Sequence, residues 1–467
     1  MEQNLKKRYG LPTAICMVVG IVIGSGIFFK TEGVLAITGG NVLTGVLSLL
    51  IMGLIMFFCA YAFSLLAQKY EKVNGVVDYA EAVCGKKYAY YLGWFMTFIY
   101  TPGIASVLCW VTARYLCALF GFGLASGETL AVACLILVGD AFINAYAPKL
   151  AGKIQVSTTV IKLIPLVLMA VIGVVAGLGN GQLVENFQYN NAMDGKAFGG
   201  LLASVVALSF AFEGWILATS INAELKDAKK NLPRALILGG IVIVAVFVFY
   251  FLGICGAVSI EELMATDSTQ AFKNLFGNVF GTLVAVFVVI SCFGTTNGLM
   301  MATARNLYSL AIRGHGPKAK MFAYVDEESN MPTNSTFFGA LITAVWMVYF
   351  FGANLSTGWF GYFNFDSSEL VIVALYAMYI PIFVTMYKDK TEGAFKRYVV
   401  PTLAILSCIF LMGSAIYAHG VAKYQAAAAE GKFSFPVLFF LIITVVVLFI
   451  GKFFYRPEKQ IEEKKAD

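Results

Sequence analysis

The chain has 467 residues; 59% are hydrophobic and 13% charged, with a mean hydropathy of +0.79. Soluble domains carry roughly 25% charged residues, so this composition excludes a soluble protein and describes an integral membrane one. The formal net charge of +6 is no sign of a nucleic-acid partner, because the basic residues are distributed between apolar segments.

Twelve apolar segments can be read, at about 11–37, 41–67, 88–120, 129–147, 153–178, 197–223, 233–257, 276–304, 334–352, 359–386, 398–419 and 433–454. Lys6, Lys7 and Arg8 precede the first. That run is too long and too glycine-broken for a cleaved leader, so it is read as a span. Gly24-Ser25-Gly26-Ile27-Phe28 interrupts it. Gly costs roughly 1 kcal/mol relative to Ala inside a helix. Backbone left unpaired in lipid costs several kcal/mol, so such a break needs a protein-lined or water-filled site. The N–H groups of Ser25, Gly26 and Ile27 would open a second half-helix, whose positive end favours a carboxylate. Gly20, Gly24 and Gly26 would equally suit close helix packing.

With an even number of spans both termini lie on one side. The segments on that side hold most Lys and Arg residues, among them Lys69, Lys149, Lys230, Arg313 and Lys396, whereas the opposite side holds only Lys30, Lys196, Lys273, Lys423 and Lys432. The positive-inside rule therefore places both termini in the cytoplasm. Arg114, near the outer end of the third segment, is expected to snorkel. The loops near 68–87, 179–196, 258–275 and 313–333 are too short to hold a separate core. The tail 456–467 carries charges of both signs and is read as disordered.

Lys162 lies in the fifth segment, nine residues beyond Lys153 and so roughly 14 Å deep at 1.5 Å per residue. It is read as a fixed ammonium where a relative would bind a cation, as a titrating group, or as a tie between helices. A second interruption falls in the sixth segment, at Ser209-Phe210-Ala211-Phe212-Glu213-Gly214-Trp215. Glu213 beside a glycine in mid-span is read as a proton carrier, a substrate contact, a gate residue or a buried structural carboxylate. Breaks in the first and sixth segments are what two inverted five-span repeats would give, with a site between them. Pro102, Pro165 and Pro381 should kink their helices. The nine cysteines show no metal-ligand or disulfide spacing, and the two histidines, His315 and His419, fall in loops or span ends. Neither a metal nor another cofactor is indicated. The spans lack the clustered Asp, His or Cys of an intramembrane enzyme.

Gly20-Ile21-Val22-Ile23-Gly24-Ser25-Gly26-Ile27-Phe28 resembles the first-span motif of the amino acid–polyamine–organocation (APC) superfamily. Phe210–Trp215 resembles its broken sixth span, Asn231–Ala235 its loop before span seven, and Ser291–Gly298 its eighth span. The L-type amino acid transporters, with the bacterial serine/threonine and alanine/serine/cysteine exchangers, are the most similar branch. The resemblance implies an all-α membrane protein of twelve helices, a LeuT-type 5+5 inverted repeat with helices one and six broken. The whole chain, 1–467, would be one transporter domain. Its first repeat is 1–178, its second 197–386, its accessory helices 398–454 and its cytoplasmic tail 456–467.

The same resemblance implies that a substrate carboxylate meets the N–H groups of Ser25, Gly26 and Ile27. The substrate ammonium would meet carbonyls near Ile21, Phe210, Ala211 and Gly214. Lys162 would stand where sodium-coupled relatives hold a sodium ion, near Ser291, and Phe210 or its neighbours would form an outer gate. The expected activity is sodium-independent exchange of small or medium neutral L-amino acids across the plasma membrane, by alternating access and not by enzymatic turnover. Two departures bear on it. Phe120–Glu128 has no cysteine, so no disulfide-linked heavy subunit is expected. Glu213 stands where the exchangers often have no charge, which leaves proton symport, or transport of cationic amino acids or polyamines, as the alternative.

Overall fold

The computed structural model describes residues 10–70, 75–123, 126–190, 195–216, 225–265, 268–355 and 358–456. Helices account for nearly all of it, and the described residues contain no β-strand. Eight helices are long and apolar enough to cross a membrane: α3 (Val42–Lys69), α5 (Lys86–Leu119), α6 (Gly127–Tyr146), α7 (Pro148–Gly179), α9 (Ala228–Ala257), α10 (Ala271–Ile312), α11 (Thr333–Leu355) and α13 (Phe395–Ala429). A ninth crossing is the pair α1 (Leu11–Val22) and α2 (Ser25–Ile37), bent by 46° at its break. Three shorter apolar helices fall where spans six, ten and twelve are predicted: α8 (Gly195–Ser209), α12 (Leu370–Met386) and α14 (Pro436–Lys452). The amphipathic α4 (Val76–Cys84) caps one end of the bundle between α3 and α5.

Burial sorts the helices. In α5 almost every residue from Thr101 to Tyr115 is buried, so it runs through the centre. Apolar side chains of the peripheral helices point outward, with Leu135 72% and Val279 81% exposed, as a lipid-facing surface requires. Close contacts rest on small residues. A Cβ on Gly177 would sit 2.4 Å from the Cα of Gly256, and one on Gly253 2.0 Å from the Met169 carbonyl oxygen. These glycines let α7 and α9 touch backbone to backbone.

The prolines act in different ways. Pro102 has no N–H for the carbonyl of Phe98, and a wide π-turn over Met96–Tyr100 precedes it; the Phe98 carbonyl accepts from Trp346 Nε1 instead, at 2.8 Å. Pro165 likewise withholds a donor from Ile161, and α7 breaks at Lys162. The kink expected at Pro381 does not interrupt the helix, because α12 runs unbroken from Leu370 to Met386.

Candidate functional site

The break in the first span occupies Ile23 and Gly24. Their extended backbone (ψ 100° and −152°) takes the Gly24 N–H out of helical register, which releases the Gly20 carbonyl. The Lys162 ammonium donates a hydrogen bond to that carbonyl. Lys162 is 1% exposed, and its own helix is interrupted at this residue, so the charge is aimed inward at the break. Gly24 has φ −144°, a conformation any residue adopts; space is what requires glycine there, since a Cβ would lie 2.5 Å from Thr295 Oγ1. Gly20 is similarly pressed by Thr159, and Gly294 by Thr158. Thus α1, α7 and α10 meet through glycine–threonine contacts around the Lys162 ammonium.

After the break α2 begins at Ser25 with no side-chain cap, so its leading N–H groups, those of Ser25, Gly26 and Ile27, have no intrahelical partner. All three residues are buried. A Cβ on Gly26 would stand 2.6 Å from the Cα of Ala211 and 3.1 Å from the Phe210 carbonyl oxygen, so the two interrupted segments touch backbone to backbone. The sixth segment leaves helical geometry after Ser209 and runs as turns through Gly214, whose φ of +99° favours glycine. Ser291 Oγ is buried without a hydrogen-bond partner; Ser25 Oγ lacks a well-formed one, its polar neighbour being the Cys292 thiol. This arrangement can hold an anionic group on free N–H donors and a cationic group on free carbonyls. Ile21 lies in the last turn of α1, and only its backbone position is described.

Glu213 is placed differently from the rest of the break. Tyr100 OH donates to its Oε1 at 2.6 Å, while Oε2 is buried without a well-formed hydrogen bond and the Gly214 N–H lies close to the carboxyl. Tyr376, Tyr379 and Cys59 are its other polar neighbours, and Trp215 Nε1 donates to Tyr376 OH at 3.1 Å. The carboxyl therefore sits in a phenol-lined chamber with no basic side chain bonded to it among the described residues.

One end of the site is closed by a layer that sequence reasoning missed. Phe210 packs edge-on to Phe29 at 6.2 Å, and Phe29 on Trp110 at 5.5 Å. Lys30 Nζ lies 5.3 and 5.5 Å from the Phe29 and Phe210 ring centres. The same ammonium binds Glu369 at 2.6 Å and Ser368 Oγ at 3.1 Å, and His419 Nε2 meets the other Glu369 oxygen at 2.8 Å. Arg114 does not snorkel. It is buried, pairs with Glu32 at 3.1 Å and lies over Phe29, Trp110 and Tyr115. Lys30 was legible as a charge beyond the break. Its partner is 339 residues away, and nothing in the local pattern around Glu369 announces it.

Two apolar helices broken at the same depth, their breaks in contact and buried charges beside them, define a secondary transporter. The solved structure of MhsT in complex with L-phenylalanine is similar over 87% of this chain and 98% of its own, with a TM-score of 0.56 at 13% identity, which gives the LeuT-type fold. The chain belongs to the amino acid permease family, whose model matches residues 9–449. It is 27% identical to the serine/threonine exchanger SteT of Bacillus subtilis, over 89% of this chain and 92% of the relative. It is 25% identical to the b(0,+)-type amino acid transporter 1 of Mus musculus, over 90% and 85%. The expected APC membership, LeuT-type fold and transport of amino acids through a membrane therefore stand, and the protein is a transporter and not an enzyme.

Proposed function

We propose that this permease exchanges small or medium neutral L-amino acids by alternating access, without sodium, in the plasma membrane with both termini cytoplasmic. The observation that carries this reading is the Lys162 ammonium on the Gly20 carbonyl. A fixed positive charge there makes a coupling cation beside the first break unnecessary. The substrate carboxylate is assigned to the N–H groups of Ser25, Gly26 and Ile27, and its ammonium to carbonyls of Ile21, Phe210, Ala211 and Gly214. Ser291 lies beside Cys292, a neighbour of Lys162, and is assigned to the same coupling region. Phe210, with Phe29 and the Lys30–Glu369 pair above it, is assigned as the outer gate. The repeat boundaries 1–178 and 197–386 follow from the paired breaks, with helices of 398–454 as additions. A relative named as an exchanger supports the mode. The absence of a cysteine in 120–128 supports function without a disulfide-linked subunit.

Counterflow in proteoliposomes tests this. Vesicles loaded with serine, alanine or leucine should take up labelled substrate at symmetric pH without sodium, and empty vesicles should not. Lys162→Ala should abolish counterflow at unchanged protein yield; full activity in that variant would remove the role assigned to Lys162.

One observation favours a second reading, proton symport or recognition of a cationic substrate. Glu213 Oε2 is buried in the second break without a well-formed hydrogen bond or a basic side chain bonded to it among the described residues. If this reading holds, empty vesicles accumulate substrate under an inward proton gradient, or cationic amino acids drive counterflow, and Glu213→Gln removes that behaviour.

A further inference from the structure

At the opposite end from the Lys30 layer, a cavity of about 490 Å³ opens between the ends of α3 and α12, the helix α4 and the segment 388–397. Its walls differ in kind. Leu65, Leu66, Ala82, Val83 and Met386 form an apolar side. Lys69, Lys388, Lys396 and Arg397 supply four cations to the other, against Asp389 and Glu392. Lys69 is committed to those two carboxylates, and Lys396 contacts Glu392 at 3.5 Å. Neither remaining cation has a carboxylate partner among the described residues. Lys388 makes no ion pair among the described residues, and Arg397 gives its Nε–H to the Tyr387 carbonyl at 2.8 Å. The Arg397 guanidinium also lies over the Tyr398 ring at 4.9 Å, and it makes no ion pair among the described residues. Phe395 and Tyr398, 60% and 48% exposed, flank the charged wall where α13 enters the apolar bundle.

We infer that this cavity is a binding site for the phosphate of an anionic phospholipid headgroup. Two uncompensated cations fit a phosphodiester, the Arg by paired donors and the Lys as a point charge. The apolar wall fits the glycerol and upper acyl chain, and the exposed aromatic rings sit where a membrane–water interface places them. Basic pockets between span ends on the cytoplasmic side are the usual form of such sites. The lipid would come from the cytoplasmic leaflet in the orientation proposed above. A bound headgroup would bridge α3, α4 and α12, and so bias how these elements move relative to one another.

The test is native mass spectrometry of the full-length protein with equimolar phosphatidylglycerol and phosphatidylcholine of matched chains. Selective retention of phosphatidylglycerol is expected, weakened on the order of tenfold by K388Q/R397Q, since each Lys or Arg at an anionic surface contributes several-fold in affinity. Equal retention of the two lipids by the unaltered protein overturns the proposal, and that comparison needs no variant to fold. K388R/R397K, which keeps both charges, should retain the preference; its loss there together with the native melting temperature would also count against the assignment. Inorganic phosphate provides the last arm. If it displaces phosphatidylglycerol and raises the melting temperature alone, the site takes free phosphate and the lipid source is wrong. The readout is independent of transport, so its failure is distinguishable from failure of the exchange reading.

Discussion

The two ends of the bundle are both closed by charged side chains, but they are built on opposite principles. At the end above the breaks the charges are few, buried and centred on carboxylates: Glu369 takes Lys30 and His419, and Glu32 takes Arg114. The side chains of the Lys30–Glu369 pair are only 7% and 9% exposed. At the other end the charges are many, mostly part-exposed and dominated by cations. Arg313 binds Asp78 at 2.7 Å and approaches Glu81 at 3.7 Å, while Lys69 reaches Asp389 and Glu392. Even the two histidines divide this way. His419 faces a carboxylate, whereas His315 lies among Arg313, Arg456 and Lys86. The lesson concerns switching. Opening a dry cluster breaks several desolvated contacts that depend on one another, so it is all-or-none. Opening a wet one exchanges ion pairs for water and is graded.

The largest effect should come from breaking the dry cluster on one side only. Lys30→Ala leaves the Glu369 carboxylate buried against His419 and should lower stability by about 3–5 kcal/mol, the usual consequence of orphaning a buried ion. Melting of the purified protein should show it. The paired replacement Lys30→Met with Glu369→Leu should recover most of the loss, because the desolvated charge goes with its partner. A pair that melts no better than Lys30→Ala would mean that the cluster is more than an ion pair in a dry layer.

Breaking the wet end should do less. Arg313→Ala removes a guanidinium that is 25% exposed, though Asp78 beneath it is nearly buried. The loss should be about 1–3 kcal/mol, that of a charge-assisted hydrogen bond, and should shrink as salt is raised. A loss equal to that of Lys30→Ala, insensitive to salt, would erase the distinction between the two ends.

How far these features were legible depends on the range over which their causes act. The first break shows in the sequence because Gly24 and Gly26 violate helix propensity locally. Lys162 shows because one charge in an apolar run is conspicuous, and Pro165 three residues on marks the interruption. The Lys30–Glu369 layer did not show. Lys30 lay in what looked like the margin of a span, Arg114 looked like a snorkelling residue, and His419 looked like a span end. Their meaning comes from partners in helices hundreds of residues away, which no periodicity encodes. Glu213 is intermediate. Its burial was legible from its position, but its chamber is assembled from Tyr100 of α5 and from Tyr376 and Tyr379 of α12, two helices far apart in the chain.

The smallest effect is expected at His315, where the sign follows from its neighbours. The ring is buried between Tyr90 and Tyr455, at 5.0 and 5.1 Å, and Nδ1 accepts the Arg456 N–H at 3.4 Å. Burial first, then the charges of Arg313, Arg456 and Lys86, push its pKa down from 6.5 to about 4. Above pH 6.5 the imidazole is neutral in folded and unfolded chains alike, and its contribution is fully present. As the pH falls from 6.5 toward 4 the unfolded chain binds a proton that the folded chain refuses, so stability is lost through that window. Below about 4 both forms are charged and the loss is complete. Carboxylates titrate over part of the same range, so the informative quantity is the difference between the native protein and His315→Gln. Their stabilities should differ by a constant at neutral pH and converge on acidification, by on the order of 1–2 kcal/mol once the roughly 3 kcal/mol of the full shift is discounted for solvent screening. The ring also holds the segment after α14 against α5, where the Gly316 N–H donates to the Phe454 carbonyl at 3.1 Å. Proteolysis near residue 456 should therefore accelerate in the same window, and an acid-insensitive cleavage rate would show that docking of this segment does not depend on a neutral His315.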